Sequence, residues 1–125
     1  MVKYDIVVIG AGLVGAACVL ALRDSGFNVL LIDKNPLSDM ANPFFDARSI
    51  ALSPASIRIL ETLGLWDAHL LQATPVHHIH VSEKGQWGRT QFDKQSDDLP
   101  LGFVVELHRI KAMMDIHLKR CHFLQ

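Results

Sequence analysis

The chain has 125 residues, of which 50% are hydrophobic and 20% charged, and its formal net charge is -1. This length suffices for one packed core, or for one core and part of a second. The balanced charge argues against a nucleic-acid-binding protein, which would need a basic face. Cys18 and Cys121 lie far apart and form no CxxC pair, so we expect neither a disulfide framework nor a zinc site, and we expect a reduced, cytoplasmic setting.

Residues 4–33 have the layout of a βαβ unit. The apolar, β-branched run Ile6–Ile9 predicts a strand, which is followed by three glycines and by a segment with helical periodicity. A second apolar run, Val29–Ile32, predicts a second strand and ends at Asp33. The uncharged stretch 6–22 is too short and too rich in glycine for a bilayer crossing, so a signal peptide or membrane anchor is not expected.

The spacing of the glycines and of the acid is typical of a dinucleotide-binding site. Gly10 permits the tight turn from strand to helix, Gly12 lets backbone N–H groups approach a pyrophosphate, and Gly15 lets the helix pack close to the strand. The phosphates are expected at the positive end of the helix. Asp33 is expected to accept both hydroxyls of an adenosine ribose, which favours FAD or NAD over NADP.

The next elements are a loop, a short strand and a helix. Residues 35–45 contain two prolines and predict the loop, and Ile50–Leu52 predicts the strand. Ser53 and Pro54 predict the start of the helix, because serine caps helix N-termini and proline suits the first helical position. Gly64 is expected to end this helix, and Gly26 to cap the first helix in the left-handed conformation.

The alternation of strands and helices is then interrupted. Residues 76–81 and 87–92 predict two strands joined as a hairpin, residues 103–107 a further strand, and residues 110–118 a helix. Strands joined by a short turn pair antiparallel and do not continue a parallel sheet. We therefore expect an α/β fold, in which residues 1–74 and 103–125 form an incomplete Rossmann-like domain and residues 75–102 begin an antiparallel, substrate-facing sheet.

Three stretches resemble a known family. They are the glycine fingerprint, the segment DARSIALSPASIRILETLGLWD (residues 46–67), and the pair VHHIHVSEKGQWG (76–88) and LGFVVELHRIKAMM (101–114). Together they are similar to the FAD-dependent aromatic hydroxylases with the para-hydroxybenzoate hydroxylase fold, and within them to the ubiquinone-biosynthesis hydroxylases. The fingerprint is shared with many flavoproteins, and the other two stretches make the resemblance specific.

The resemblance implies which residues bind FAD in the Rossmann-like domain. Asp33 would hold the adenosine ribose with Lys34 beside it, and Arg48 would be the family's flavin-contacting arginine. The family often has glutamate where Asp33 stands, and a small residue where Val19 stands. The residues that would wrap the diphosphate are Gly10, Ala11, Gly12, Leu13, Val14 and Gly15.

The implied activity is that of a flavin monooxygenase that hydroxylates a phenolic small molecule, with a polyprenylated phenol as the family substrate and NAD(P)H as the reductant. A membrane-dissolved substrate would favour peripheral membrane association, although the sequence contains no amphipathic basic helix. Members of the family are several hundred residues long and carry two further cofactor-binding motifs. We therefore expect an N-terminal fragment that is inactive by itself and that binds FAD weakly if at all. Its open sheet edge favours self-association.

Two alternatives stay open from the sequence. The same fingerprint serves NAD-dependent dehydrogenases, in which βαβ units would continue after Asp33. The chain could also be a truncated module that binds a nucleotide without catalysis. His78 and His80 would share one face of a strand, but the sequence nearby offers no further ligand, so no metal is expected. Glu106, Arg109 and Lys111 receive no role, and no catalytic residue is assigned.

Overall fold

The computed structural model describes residues 3–35, 48–94 and 99–121, and these residues form seven strands and three helices. The predicted loop 35–45 lies outside the described residues except for Asn35. In chain order the elements are β1 (Ile6–Ile9), α1 (Leu13–Ala21), β2 (Val29–Ile32), β3 (Ser49–Leu52), α2 (Pro54–Thr62), β4 (Thr74–Val76), β5 (His78–Ser82), β6 (Arg89–Asp93), β7 (Gly102–Glu106) and α3 (Leu107–Leu118). The α/β class expected from the sequence is confirmed.

The strands β1 and β2 form a parallel pair, with Ile6 opposite Val29 and Ile9 opposite Ile32. Both strands have the predicted bounds. Parallel strands need a crossover, and α1 provides it. Side chains of β1 alternate between the two faces, so that Val8 packs against the core and Val7 is 52% exposed.

A second sheet has three antiparallel strands in the order β3-β7-β4. Ser49 lies opposite Glu106, and Thr74 lies opposite Val104. The continuous strand predicted over residues 76–81 is wrong, because the chain leaves β4 at His77 and its two halves join different sheets. This separation depends on pairing with β7, which no local pattern encodes.

The hairpin predicted between residues 76 and 92 is formed by β5 and β6, with Ser82 opposite Arg89 at the turn and His78 opposite Asp93 at the open end. All ten of its strand residues are exposed. The hairpin makes a separate two-stranded sheet.

The helix ends follow the predicted capping chemistry closely at α2. The Ser56 backbone N–H donates to the Ser53 side chain at 3.2 Å, and Pro54 begins the helix. At its end, Gly64 has a φ of 73°, and the N–H of Leu65 donates to the carbonyl of Leu60 at 2.8 Å, which is a Schellman arrangement.

The other two helices depart from the predicted ends. Helix α1 ends at Ala21, so the left-handed Gly26, with a φ of 80°, follows five residues later instead of capping it directly. Helix α3 begins at Leu107 and not at residue 110, because the N–H of Leu107 donates to the Arg48 carbonyl at 2.9 Å. A neighbouring segment therefore satisfies this N–H, and the sequence shows no cap there.

The core lies where α3 packs against α1 and where both helices cover the strands. Ile110 in α3 and Val19 in α1 have no exposed surface. Among the described residues, no helix is both long and apolar enough to cross a bilayer. The core residues are Ala16, Val19, Leu20, Val29, Leu60, Leu63, Leu65, Leu71, Val105, Ile110, Met114 and Leu118.

Candidate functional site

The turn from β1 to α1 is fixed by backbone geometry. Gly10 has a φ of 101°, a conformation that residues with a side chain rarely adopt. Its N–H donates to the carbonyl of Ile32 at 2.7 Å, which ties the turn to the end of β2. The turn therefore lies beside the carboxyl ends of both parallel strands, the position where ligands bind in folds of this kind.

Gly15 is required by packing inside the protein. A Cβ atom at this position would overlap the carbonyl oxygen of Gly10 and come within 3.5 Å of the Val8 side chain. The first turn of α1 can lie this close to β1 because residue 15 has no side chain. The predicted packing role of Gly15 is confirmed by this contact.

Gly12 differs, because none of the described residues requires a glycine there. Its φ of -66° and ψ of -176° suit any residue, and a Cβ atom would meet no atom of the described residues within 4 Å. Helix α1 has no side-chain cap at this N-terminus and no acidic residue in its first turn. The first backbone N–H groups of α1 thus have no side-chain cap, and they can receive an anion.

Asp33 lies at the tip of β2 and is tied to the same turn. Its Oδ2 accepts a hydrogen bond from the Ala11 N–H at 2.7 Å, and its Oδ1 accepts one from the Asn35 N–H at 2.8 Å. These N–H groups, Asn35 first and Ala11 second, lower the pKa of the Asp33 carboxyl, so it is ionised near neutral pH. Each oxygen keeps a second lone pair that can accept a hydroxyl of a ligand.

The other residues predicted to bind the cofactor lie in α1, directly after Asp33 and directly before β3. Leu13 and Val14 begin α1, and the Val14 side chain is 85% exposed. Lys34 follows Asp33 directly and is exposed. Arg48 precedes β3, and its carbonyl is bonded to the first residue of α3. The structure brings residues 10–15 and Asp33 together, and it places the Arg48 backbone beside the start of α3.

Two cavities lie on the open face of the three-stranded sheet. One, of about 270 Å³, is polar and is bordered by Ser49, Gln72, Glu106 and Arg109. The Arg109 guanidinium donates to the Glu106 carboxylate at 2.6 Å and lowers the pKa of that carboxyl. The other cavity, of about 430 Å³, is largely apolar and is bordered by Ala51, Val76, Ile79, Leu101, Gly102 and Phe103. This face thus carries a polar cavity and an apolar one.

One residue near the turn was given no role from the sequence. Lys111, in the second turn of α3, is close enough for its charge to act on the Asp33 carboxylate. Its place in the helix could have drawn attention to it, because it follows Ile110, whose side chain lines a cavity with Leu13. This argument requires knowing that α3 packs against α1.

The family model described as "FAD binding domain" matches residues 3–123. A ubiquinone hydroxylase of Rhodospirillum rubrum, UbiL, is 30% identical over 116 residues, which are 93% of this chain and 27% of that protein. The 3-demethoxyubiquinol 3-hydroxylase of Escherichia coli is 37% identical over 106 residues, which are 82% of this chain and 27% of that protein.

Among solved structures, a mutant of PqsL from P. aeruginosa has the same fold. Its TM-score is 0.74 at 20% sequence identity, and the match covers 98% of this chain and 32% of that one. The chain thus spans roughly a quarter to a third of the length of these relatives. The family model, in contrast, matches nearly all of the described residues. The chain therefore belongs to the FAD binding domain family, whose cofactor is FAD.

Proposed function

We propose that this chain is the FAD-binding portion of a flavin-dependent monooxygenase that hydroxylates a phenolic small molecule, with a polyprenylated phenol of ubiquinone biosynthesis as the substrate. The observation that carries the proposal is the contrast between Gly15, which the fold requires, and Gly12, which it does not. An unneeded glycine at an uncapped helix end is explained by a ligand that approaches the backbone there.

The chain's own residues suit FAD at this turn. The backbone of residues 10–15 would receive the diphosphate at the N-terminus of α1, where N–H groups and the helix dipole favour an anion. Asp33, ionised and already bonded to Ala11, would accept the ribose hydroxyls. Lys34 would lie beside the ribose, and Arg48 would contact the cofactor with its guanidinium fork.

The open face of the three-stranded sheet suits the phenol substrate at the place where it reacts with the cofactor. Its apolar cavity of about 430 Å³ would exclude water from a phenol ring. When bound and reduced, FAD supplies the activation of dioxygen, and the protein supplies orientation and a dry cavity. We propose NAD(P)H as the reductant.

Relatives support this substrate class through their names. The Rhodospirillum and Escherichia proteins are named as hydroxylases of ubiquinone or demethoxyubiquinol. The dehydrogenase alternative requires further βαβ units after Asp33. In the described residues, β3 instead pairs antiparallel with β7, which favours the hydroxylase.

A Gly12→Ala variant tests the proposed site. FAD titrated into the purified chain, followed by flavin fluorescence and equilibrium dialysis, should bind the variant at least about tenfold more weakly, a loss of about 1.4 kcal/mol. Thermal unfolding should be nearly unchanged, because the added methyl meets no atom of the described residues. The exposed hairpin variant Ser82→Ala serves as the matched control for a one-atom change far from the turn. Equal FAD affinity in Gly12→Ala and wild type would contradict the site.

The proposed partners follow from the substrate and from the sheet edges. A polyprenylated substrate would bring the protein to a membrane surface from the cytoplasm. The open edges of the β5–β6 hairpin would favour self-association, because unpaired strand edges pair with other chains. Sedimentation that shows a strict monomer at high concentration would contradict self-association. Vesicle flotation that recovers none of the protein would contradict membrane attachment.

A further inference from the structure

The β5–β6 hairpin has two faces of opposite character. Residues that lie opposite each other in an antiparallel pair project to the same face of the sheet. Ile79 lies opposite Phe92 and Val81 opposite Thr90, so these four residues form one face, which carries no charged residue of the two strands. The residues of the other face are His78, His80, Ser82, Arg89, Gln91 and Asp93. The hairpin therefore has an apolar face and a polar face.

The apolar face is open and begins at a cavity. The side chains of Ile79, Val81 and Phe92 are all exposed. Ile79 also lines the cavity of about 430 Å³ on the three-stranded sheet, together with Val76 and Phe103. Val81 lies two residues further along the same face, about 7 Å from Ile79 by strand geometry. The cavity and the apolar face thus form one continuous apolar surface.

We propose that the apolar face of the β5–β6 hairpin binds the first isoprene units of the substrate's polyprenyl tail. This inference rests on the proposed function, in which the neighbouring cavity holds the phenol ring. A polyprenyl chain is an uncharged hydrocarbon, and it gains binding free energy when apolar side chains such as Ile79 and Phe92 remove it from water. Because the face extends only from one residue pair to the next, it contacts the part of the tail nearest the ring.

Size and charge favour this ligand over a protein or a membrane. Four side chains offer far less than the roughly 800 Å² per partner that a stable protein interface buries. Segments that bind membrane surfaces combine an apolar face with a basic face, which attracts anionic lipids. The polar face of the hairpin carries Asp93 as well as Arg89, so it is not a basic face. A hydrocarbon chain attached to a ring in the cavity agrees with both observations.

The test uses two probes, phenol and 2-geranylphenol, which differ by two isoprene units. Each is titrated into the purified chain and followed by methyl NMR. Both should shift the methyl signals of Ala51 and Val76 in the cavity, and only 2-geranylphenol should shift those of Val81. Wild type should bind 2-geranylphenol at least about tenfold more tightly than phenol, because burying one CH₂ group raises affinity about fourfold.

Threonine variants separate binding of the tail from binding of the ring, because threonine is polar and still favours strands. Phe92→Thr should weaken binding of 2-geranylphenol about 5- to 20-fold, and Val81→Thr about 2- to 5-fold. Phenol affinity should not change, since neither residue lines the cavity. His80→Thr and Gln91→Thr alter the polar face and are the matched controls, which should change neither affinity.

Equal affinity for 2-geranylphenol in Phe92→Thr and wild type would overturn the role of the hairpin and leave the proposed function standing. The same conclusion would follow if wild type floated with phosphatidylcholine vesicles and Phe92→Thr did not, or if that variant dissociated a dimer seen in sedimentation. The face would then serve a membrane or a second copy of the chain. If neither probe shifted Ala51 and Val76 in wild type, the substrate cavity of the proposed function would be overturned, and the role of the hairpin with it.

Discussion

The β1-α1-β2 unit and the β5–β6 hairpin are built on opposite principles. The unit is held by tertiary contacts, since Ala16, Val19 and Val29 have no exposed surface and α3 packs against α1. The hairpin has no buried strand residue, although its register places Ile79 and Phe92 opposite each other on one face. Its order comes from strand pairing and from the turn. The protein thus concentrates its packing in the β1-α1-β2 unit and leaves the hairpin exposed.

The same substitution at two glycines is expected to affect the two regions differently. Gly15→Ala should destabilise the protein by about 3 kcal/mol, because its methyl overlaps the Gly10 carbonyl and α1 must move off β1. Gly85→Ala, at the hairpin turn with a φ of 83°, should lower the stability by roughly 1 to 2 kcal/mol, and its effect should be confined to the hairpin. Urea unfolding measures both. A Gly15→Ala protein as stable as wild type would contradict the expected difference between the two regions.

A second difference is expected from truncating one isoleucine in each region. Ile110→Ala leaves a cavity at a site with no exposed surface and should cost about 2 to 5 kcal/mol. Ile79→Ala, at a side chain that is 43% exposed, should cost less than about 1 kcal/mol. The unfolding free energies of the two variants, measured side by side, test this ranking. Equal losses would mean that the hairpin face is covered in solution.

The smallest effect is expected from acid. The pKa of Asp33 is lowered by backbone N–H groups, and that of Asp93 by the side chains of Gln91 and His78. A carboxyl whose pKa is lower in the folded state stabilises the protein above its unfolded pKa of about 4, and this stabilisation is lost as the pH falls through the folded value. Unfolding measured from pH 6 to pH 2.5 should therefore show a shallower acid loss in Asp33→Asn and in Asp93→Asn.

The two variants also separate the regions. Hydrogen exchange should detect loosening around Ala11 in Asp33→Asn, and changes confined to β5 and β6 in Asp93→Asn. Loosening of the glycine turn in Asp93→Asn would show that the regions are coupled.

The parts of the fold that the sequence predicts well are those set by neighbours in the chain. The bounds of β1 and β2, the Ser53 cap and the Gly64 end all follow from short-range patterns, and each is confirmed. Long-range pairing is where the sequence falls short. The break at His77 exists because β4 joins β7 while β5 joins β6, and the start of α3 at Leu107 depends on the Arg48 carbonyl.

The candidate site shows the same division. Residues 10–15 and Asp33 could be predicted, because the glycine spacing and the acid at a strand end are visible in the sequence. The place of the Arg48 backbone beside the start of α3 could not be predicted, since it depends on a hydrogen bond between distant segments. The cofactor-binding roles of residues 10–15, Asp33, Lys34 and Arg48 stay predictions that binding measurements will decide.

The bond between the Ala11 amide and the Asp33 carboxylate has a consequence for how quickly the protein can take up its ligand. Because Asp33 is already hydrogen-bonded to the turn between β1 and α1, the site needs little rearrangement when a nucleotide binds. Little conformational entropy is therefore lost at this turn on binding. Association should then proceed at the rate of encounter, and differences among ligands should be seen in how long each one stays.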